Sequence, residues 1–265
     1  MKYHLGTVGF GYKDWDGAFY PSKTPSKEYL EHYSKIFNSV EIDTSFYGCP
    51  SIKQVEKWCS KVPKDFKFCY KTPRQITHDS HLFAVDREIE EFLENISHAS
   101  ERLGPVLIQL PPDFSTEGRE NLVKFTEKIN KIRETKDPKL KFAYEFRHKT
   151  WYTDWTKNFL TINNIGWVSL DYLKYPKEIN QTSDFLYFRF IGQHGRYEVK
   201  THVRDDRTKE LGFWKEEIEK TKSTEIYGYF NNDYSGHSPA TCNRFKEILG
   251  LQIEEPSITE QITLF

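Results

Sequence analysis

Eight short runs rich in β-forming residues alternate with helix-like segments along nearly the whole chain, and this alternation constrains the fold most. Each run ends in polar, Gly or Pro residues before the next helical pattern begins, which is typical of βα units. Eight such units favour an α/β fold, a single closed (β/α)8 TIM barrel in residues 1–250 followed by a polar tail in residues 251–265. The predicted strands are Thr7–Phe10, Ser39–Asp43, Lys67–Lys71, Pro105–Leu110, Lys141–Phe146, Gly166–Asp171, Phe185–Ile191 and Glu225–Asn231.

Helical patterns fill the segments between most of these runs. An open doubly wound sheet is the alternative, but it requires a Gly-x-Gly-x-x-Gly turn after the first strand, which Gly9–Asp14 does not supply. The predicted helices are Ser26–Phe37, Ser51–Lys61, Val85–Leu103, Glu117–Arg133, Asp154–Asn163, Lys209–Lys220 and Pro239–Leu249.

Net charge and hydropathy exclude several classes of protein. A formal net charge of −1 excludes a generally basic nucleic-acid coat, though not a local basic groove. No apolar run approaches the roughly 20 residues that span a bilayer, and residues 1–6 lack the pattern of a signal peptide. We therefore expect a cytoplasmic protein without a membrane span.

Charged side chains are concentrated at the predicted strand ends. In a TIM barrel, binding and catalytic residues lie where the strands end, and alternate side chains point inward. Four carboxylates and three cations would then share one face of the barrel, and they cannot be buried without pairing or binding a ligand. A paired polar layer and a functional site both remain open as interpretations. The residues are Glu41, Asp43, Lys71, Gln109, Glu145, Arg147, Asp171, Arg189 and Asn231.

The functional interpretation assigns roles to these side chains. Glu145 is the first candidate for a general acid or base, and Asp171 is the second. Lys71 and the arginines Arg74, Arg147 and Arg189 are candidates for holding phosphate or carboxylate groups. Two loops add to the anion-binding hypothesis: Gly192–Arg196, and Asn231–Pro239, which leads into a helix N-terminus. The histidines lack the spacing of a metal site, so no metal is expected, and the sequence leaves any other cofactor undetermined.

Six motifs that recur in order resemble the YecE-like family, a family of unknown function also called DUF72. They are Val8–Trp15, Val40–Tyr47, Lys71–His78, Leu107–Pro112, Tyr144–His148 and Tyr229–Asp233. The resemblance implies a TIM barrel without an established reaction. The positions carried over from the family are Tyr12, Trp15, Glu41, Phe46, Tyr47, Lys71, Arg74, His78, Gln109, Glu145, Arg147, His148, Asp171, Arg189, Asn231, Asn232 and Asp233.

This chain departs from the family pattern at two places. Asp43 stands where the family usually has Asn, and Phe190-Ile191-Gly192 replaces a more usual Leu-His-Gly.

The last five residues, Gln261–Phe265, resemble the short peptide with which bacterial replication and repair proteins bind the DNA sliding clamp. Leu264 and Phe265 would be its apolar anchors and Gln261 its hydrogen-bonding residue. The alternative is that these side chains pack on the barrel.

The leading hypothesis is an enzyme, a hydrolase or lyase, that acts on nucleic acid or on a phosphate-bearing nucleotide or sugar. Glu145 would transfer the proton, with Asp171 or Glu41 orienting it, while Tyr12, Trp15 and Tyr47 stack on a base or sugar. Lys71 could instead form a Schiff base if burial lowers its pKa. The alternatives are a carbohydrate isomerase or glycosidase, and a non-catalytic module that binds a phosphate-bearing ligand.

Overall fold

The computed structural model describes residues 1–254 and contains parallel strands alternating with helices. Six of the eight predicted runs form single strands, and the sixth run along the chain is divided at Val168 into β6 and β7. The first strand was misplaced: it spans Lys2–Thr7 and shares only Thr7 with the predicted run Thr7–Phe10. The strands are β1 (Lys2–Thr7), β2 (Ser39–Ile42), β3 (Lys67–Tyr70), β4 (Val106–Gln109), β5 (Phe142–Glu145), β6 (Gly166–Trp167), β7 (Ser169–Asp171), β8 (Phe185–Phe190) and β9 (Glu225–Phe230).

The helices follow the predicted pattern, with ends fixed by local hydrogen bonds. The Ser51 side chain accepts from the Gln54 amide at the start of α2, and Thr153 caps α5 in the same way. No helix within residues 1–254 is long and apolar enough to cross a membrane. The helices are α1 (Tyr29–Ile36), α2 (Ile52–Cys59), α3 (Asp86–Ser97), α4 (Arg119–Lys136), α5 (Asp154–Ile162), α6 (Thr208–Glu219), α7 (Asn232–Ser235) and α8 (Ser238–Ile248).

The strands form three parallel sheets, with the orders β1-β9-β8-β7, β2-β3 and β4-β5-β6. Single bridges connect the sheets: Val8 with Glu41, and Lys71 with Leu107. The α/β class with parallel strands is thus confirmed. The closed eight-stranded barrel is not confirmed, because the ladder is interrupted at three places: between β1 and β2, between β3 and β4, and at Val168 between β6 and β7.

Two apolar clusters lie on opposite faces of the strands. The larger one joins strand and helix residues, such as Val106 and Trp214, and the smaller one draws on no helix residue of the described chain. On β4, Leu107 belongs to the smaller cluster while its neighbours Val106 and Ile108 belong to the larger, as the two-residue period of a strand requires. The strands therefore have one face toward the helices and one face toward each other.

Gly6 marks the close approach of β1 to β2. A Cβ atom there would lie 1.9 Å from the Ser39 carbonyl oxygen and 2.5 Å from the Tyr33 hydroxyl oxygen. That hydroxyl accepts from the Thr7 amide and donates to the Ser39 carbonyl, which ties the two strands together.

We predict that Gly6→Ala destabilises the protein by about 1–3 kcal/mol, the usual cost of overpacking, because the Ser39 backbone and the Tyr33 hydroxyl must both move. Gly212→Ala is the matched control: Gly212 lies inside α6 with open space around the new Cβ. That change should stabilise the helix by about 0.5–1 kcal/mol. Urea unfolding midpoints measure both effects, and an unchanged midpoint for Gly6→Ala would contradict the close approach.

Candidate functional site

The guanidinium of Arg189, on β8, connects two carboxylates from strands on other sheets. Its Nε and Nη2 atoms donate to the two oxygens of Glu41 at 2.9 and 2.7 Å, and Nη1 donates to Glu145 Oε2 at 2.7 Å. All three side chains are buried. Glu41 and Arg189 each lie one residue before the end of their strands, and Glu145 is the last residue of β5. This ion triad therefore brings together the carboxyl ends of three strands.

Glu145 is the most heavily bonded carboxylate of the site. Its Oε1 accepts from Gln109 Nε2 at 2.6 Å and from Arg147 Nε. Burial alone would raise the pKa of Glu145, but Arg147 and Arg189 together lower it to about 2. Glu145 therefore stays ionised near neutral pH, which suits an anchor for two arginines better than the general acid expected from the sequence.

Glu41 differs from Glu145 although it shares the same arginine. Its Oε2 also accepts from the Tyr187 hydroxyl at 2.9 Å. Burial raises the pKa of Glu41, and the charge of Arg189 only partly opposes that effect. The two carboxylates are thus pushed in opposite directions, a pattern that separates the roles of paired acids in many active sites.

Lys71 follows β3 and differs from the two arginines in its partners. Arg147 and Arg189 both pair with carboxylates, whereas Lys71 forms no ion pair or hydrogen bond through Nζ with any described residue. Its Nζ lies 3.7 Å from the centre of the Phe46 ring. Burial, together with the positive charge of Arg189, lowers the pKa of Lys71 to about 8. A substantial fraction of this amine is consequently neutral near physiological pH.

Asp43 is the neighbour of Lys71 across β2 and β3. Ile42 pairs with Tyr70, so the next residues on each strand, Asp43 and Lys71, are adjacent. Burial raises the pKa of Asp43, opposed by Arg189 and Lys71. The sequence placed Asp43 in the inward ring without giving it a role. Asp43 follows the last residue of β2 and precedes a short turn, Thr44–Phe46, so its place beside Lys71 comes from the turn as well as from the strand.

Asp171 does not join this group. Its neighbour Leu170 lies in the cluster between the strands, so Asp171 points toward the helices. There its Oδ2 accepts from Trp214 Nε1 at 2.8 Å and from the Tyr234 hydroxyl at 2.7 Å. The inward placement expected from the sequence was therefore wrong by one step of the strand alternation, and Asp171 links strand to helix.

Trp15 and the Asn231–Asp233 segment also have structural partners. Trp15 is fully buried, and its Nε1 donates to Asn232 Oδ1 at 3.2 Å, so its ring cannot stack on a ligand as the sequence predicted. Asn231 accepts from the Asp233 amide and caps α7. Asp233 Oδ2 accepts from the Gly195 amide at 3.2 Å, which joins the two loops of the anion-binding hypothesis.

The remaining predicted residues lie around the triad in different environments. Tyr12 is half-buried and donates to the Val8 carbonyl at 2.8 Å, whereas the Tyr47 side chain is 82% exposed. His78 packs edge-on against Phe46, and burial together with Lys71 lowers its pKa to about 4. Arg74 pairs with Asp79 at 3.0 Å on the surface.

His148 accepts from the Thr150 amide at 3.3 Å and caps a short turn, a structural contact outside the triad. No group of three or more His, Cys, Asp or Glu side chains within residues 1–254 is arranged to hold a metal ion. The predicted clamp-binding residues Gln261, Leu264 and Phe265 lie outside the described residues, and clamp binding stays a prediction.

Two comparisons of solved structures bear on the fold. A DUF72 family protein from Thermotoga maritima superposes with a TM-score of 0.72 and 29% identity, over 94% of this chain and all of that one. The D-psicose 3-epimerase of Clostridium cellulolyticum H10, solved with D-tagatose, superposes with a TM-score of 0.50 over 94% of this chain and 96% of its own. At 12% identity that second likeness concerns the fold alone.

Sequence comparisons identify relatives without an assigned activity. UPF0759 protein YecE of Escherichia coli K12 is 38% identical over 85 residues, 32% of this chain and only 31% of YecE. UPF0759 protein YunF of Bacillus subtilis 168 is 25% identical over 94% of this chain and 95% of its own length. The family model "Protein of unknown function DUF72" matches residues 4–263. The resemblance found in the motifs is thereby confirmed, and the chain belongs to the DUF72 family.

Proposed function

We propose that the protein is an enzyme that acts on a small phosphate-bearing sugar or nucleotide, with the amine of Lys71 as its reacting group. One observation carries the proposal. Among the inward cations Lys71, Arg147 and Arg189, only Lys71 has no carboxylate partner within the described chain. A partly exposed amine beside a buried ion triad is suited to react with a ligand.

Arg147 supports a phosphate-bearing substrate. Only its Nε donates to Glu145, so both terminal nitrogens are without a protein partner in residues 1–254. The side chain is 14% exposed, and its guanidinium lies 5.8 and 5.5 Å from the rings of Tyr172 and Tyr175. A planar guanidinium that is held on one edge and open on the other can bind a phosphate group through two parallel hydrogen bonds.

The chemistry that follows is Schiff-base formation and elimination. The neutral Lys71 amine attacks the carbonyl carbon of an open-chain sugar phosphate. The carbonyl oxygen takes one proton from the amine and one from solvent and leaves as water, and a protonated C=N bond forms. This bond withdraws electrons from the adjacent carbon, whose proton Asp43 accepts. The electron pair released there forms a C=C bond as the phosphate leaves from the next carbon. Water then hydrolyses the C=N bond, which releases the unsaturated carbonyl product and restores the Lys71 amine. Arg147 stabilises the charge of the departing phosphate.

We also infer that the strands form a closed (β/α)8 barrel, which would direct all eight strand ends to this site. The Val8–Glu41 and Lys71–Leu107 bridges support closure at two of the three junctions. At the third, β6 and β7 are consecutive along the chain, and the Val168 amide between them donates to the Tyr144 carbonyl on β5. The strand-only apolar cluster is a second support, since an open sheet with helices on both faces would not enclose one.

A sugar epimerase or isomerase is the second candidate, because a carboxylate next to Lys71 can move a proton beside a carbonyl group without any loss of phosphate. Proton removal by Asp43 next to a carbonyl carbon, followed by return of the proton, would interconvert sugars without loss of phosphate. Analysis of the products separates the two reactions: free phosphate indicates elimination, and an isomeric sugar with its phosphate retained indicates isomerisation.

We predict that cyanoborohydride traps glyceraldehyde 3-phosphate on Lys71. Because only the neutral amine reacts, the trapping rate should rise about tenfold per pH unit and level off above pH 8, where the pKa of Lys71 lies. Mass spectrometry of the labelled peptide locates the adduct. Lys71→Met should abolish it, and Lys64→Met, a change at an exposed lysine, should not. Trapping spread over surface lysines would contradict the assignment.

Asp43→Asn should separate adduct formation from turnover. Loss of the nearby negative charge lowers the pKa of Lys71 further, so trapping at pH 7 should be equal or faster. Elimination or isomerisation should fall by about 10²–10⁴-fold, because the proton acceptor is missing. The exposed Asp65→Asn is the control. Full turnover by Asp43→Asn would reject Asp43 as the acceptor.

Stability measurements should distinguish the anchor from the reacting group. Arg189→Met leaves Glu41 and Glu145 buried without their shared cation and should cost about 3–5 kcal/mol at pH 7. Lys71→Met should instead stabilise the fold at pH 7. The folded-state pKa of Lys71 is lowered, so its charged form opposes folding below pH 8, and this penalty fades as the pH rises toward 10.5. A large loss of stability in Lys71→Met would indicate a structural role.

A further inference from the structure

A groove of about 380 Å³ lies between α2 and the segment at the start of α1. Lys27, in the turn that precedes α1, lines one side, and Lys53, Lys57 and Lys61 line the other from α2 and the residues that follow it. The lining contains these four lysines and no aspartate or glutamate. Since the formal net charge of the whole chain is −1, the groove is a local concentration of positive charge.

The lysines of this groove differ from those on other helices in their partners. None of the four pairs with a carboxylate in residues 1–254, and Lys61 donates to the backbone carbonyl of Lys27. On α4 and α6, by contrast, Lys124, Lys136 and Lys215 each pair with a glutamate. The three lysines along α2 are spaced four residues apart, so they lie on one side of the helix. Like charges at that spacing destabilise a helix, and such a row therefore indicates an anionic partner.

The acidic side chains of the same two helices do not neutralise the row. Glu31, on α1, pairs with Lys35 at 3.9 Å, and Glu56, on α2, pairs with His98 at 3.5 Å. Neither carboxylate lines the groove, and Glu28, just before α1, does not line it either. An anion in the groove would consequently meet cations without competition from a lining carboxylate.

Two aromatic rings lie in the groove beside the lysines. Phe10 and Trp58 both line it and are half-buried. The Trp58 ring is held against Phe68 and Tyr70, with ring centres 6.5 and 6.4 Å apart. No exposed large apolar side chain of the described chain lies on α1 or α2, so this surface lacks the anchors with which helices enter a membrane. Cations beside fixed aromatic rings are instead typical of surfaces that bind single-stranded nucleic acid.

We propose that this groove is a docking surface for single-stranded nucleic acid. Four residues of helix span about 6 Å, which is close to the spacing of successive phosphates along an extended strand, so the row on α2 can contact one phosphate per lysine. A base turned toward the groove stacks on Trp58, which a duplex cannot offer because its base faces are covered. The groove shares no residue with the site around Lys71. The strand is therefore a partner and not the substrate, and this proposal is independent of the function proposed for Lys71.

Fluorescence anisotropy of a labelled oligothymidylate, titrated with the full-length protein at several salt concentrations, tests the proposal. Each phosphate of a single strand that a lysine neutralises contributes about −0.7 to the slope of log affinity against log salt, so four lysines should give about −3. Lys57→Met should weaken binding about fivefold at about 0.1 M salt, and replacing Lys53, Lys57 and Lys61 together by Met should weaken it about a hundredfold. Lys57→Arg keeps the charge and should retain the affinity.

Lys157→Met is the matched control, because Lys157 is an exposed lysine on α5 without a carboxylate partner in the described chain. It removes the same charge elsewhere and should leave binding unchanged. Urea unfolding checks the folding of each variant, and the midpoint of the triple variant should not fall, since like charges are removed from α2.

Four results would overturn the proposal: no binding of the oligothymidylate, binding that the triple change leaves intact, an equal loss in Lys157→Met, or a loss in Lys71→Met, which would place the strand at the charged site. A duplex of the same length should bind less tightly, and phosphatidylserine vesicles should not bind through these lysines. Tighter binding of the duplex, or vesicle binding that the triple change abolishes, would make that partner the occupant and reject the single strand.

Discussion

The ion triad of Glu41, Arg189 and Glu145 is the interaction on which the rest of the site depends. Arg189 reaches from β8 to β2 and to β5, so a single guanidinium fixes the carboxyl ends of strands that belong to three different sheets. A buried cation with only one carboxylate would leave donors unused. With two carboxylates, Nε, Nη1 and Nη2 of Arg189 all have an acceptor. Tyr187 donates a further hydrogen bond to Glu41, and Gln109 donates one to Glu145.

The same triad determines which groups remain available for chemistry. Glu145 is surrounded by cations that keep it ionised near neutral pH, so it is poorly suited to act as a general acid. Arg189 is fully used, and Arg147 is used along one edge. The repulsion from these arginines, added to burial, leaves Lys71 as a weakly basic amine. The reactivity proposed for Lys71 is thus a consequence of how the neighbouring charges are paired.

Much of this arrangement can be predicted from the sequence, because strand alternation is a local property. Periodicity identified the strands, and Glu41, Lys71, Gln109, Glu145, Arg147 and Arg189 were all placed in the inward ring. Asp171 was misplaced because both faces of its strand carry apolar residues, Trp167 on one and Val168 and Leu170 on the other, so the sequence does not show which face is inward. The burial of Trp15 depends on its contact with Asn232, 217 residues away along the chain, which no local pattern contains.

The two interpretations of the charged residues, a paired polar layer and a functional site, apply to different members of the group. Glu41, Arg189 and Glu145 satisfy one another and need no ligand. Lys71, Asp43 and the open edge of Arg147 stand around them without equivalent partners in residues 1–254. Counting the six charges together gives three cations and three carboxylates, so the site as a whole is close to neutral. Such a site would bind a small substrate by the placement of individual groups, whereas binding a long polyanion would require an excess of positive charge. This balance is the reason why we propose a sugar phosphate or mononucleotide, and not nucleic acid, as the substrate.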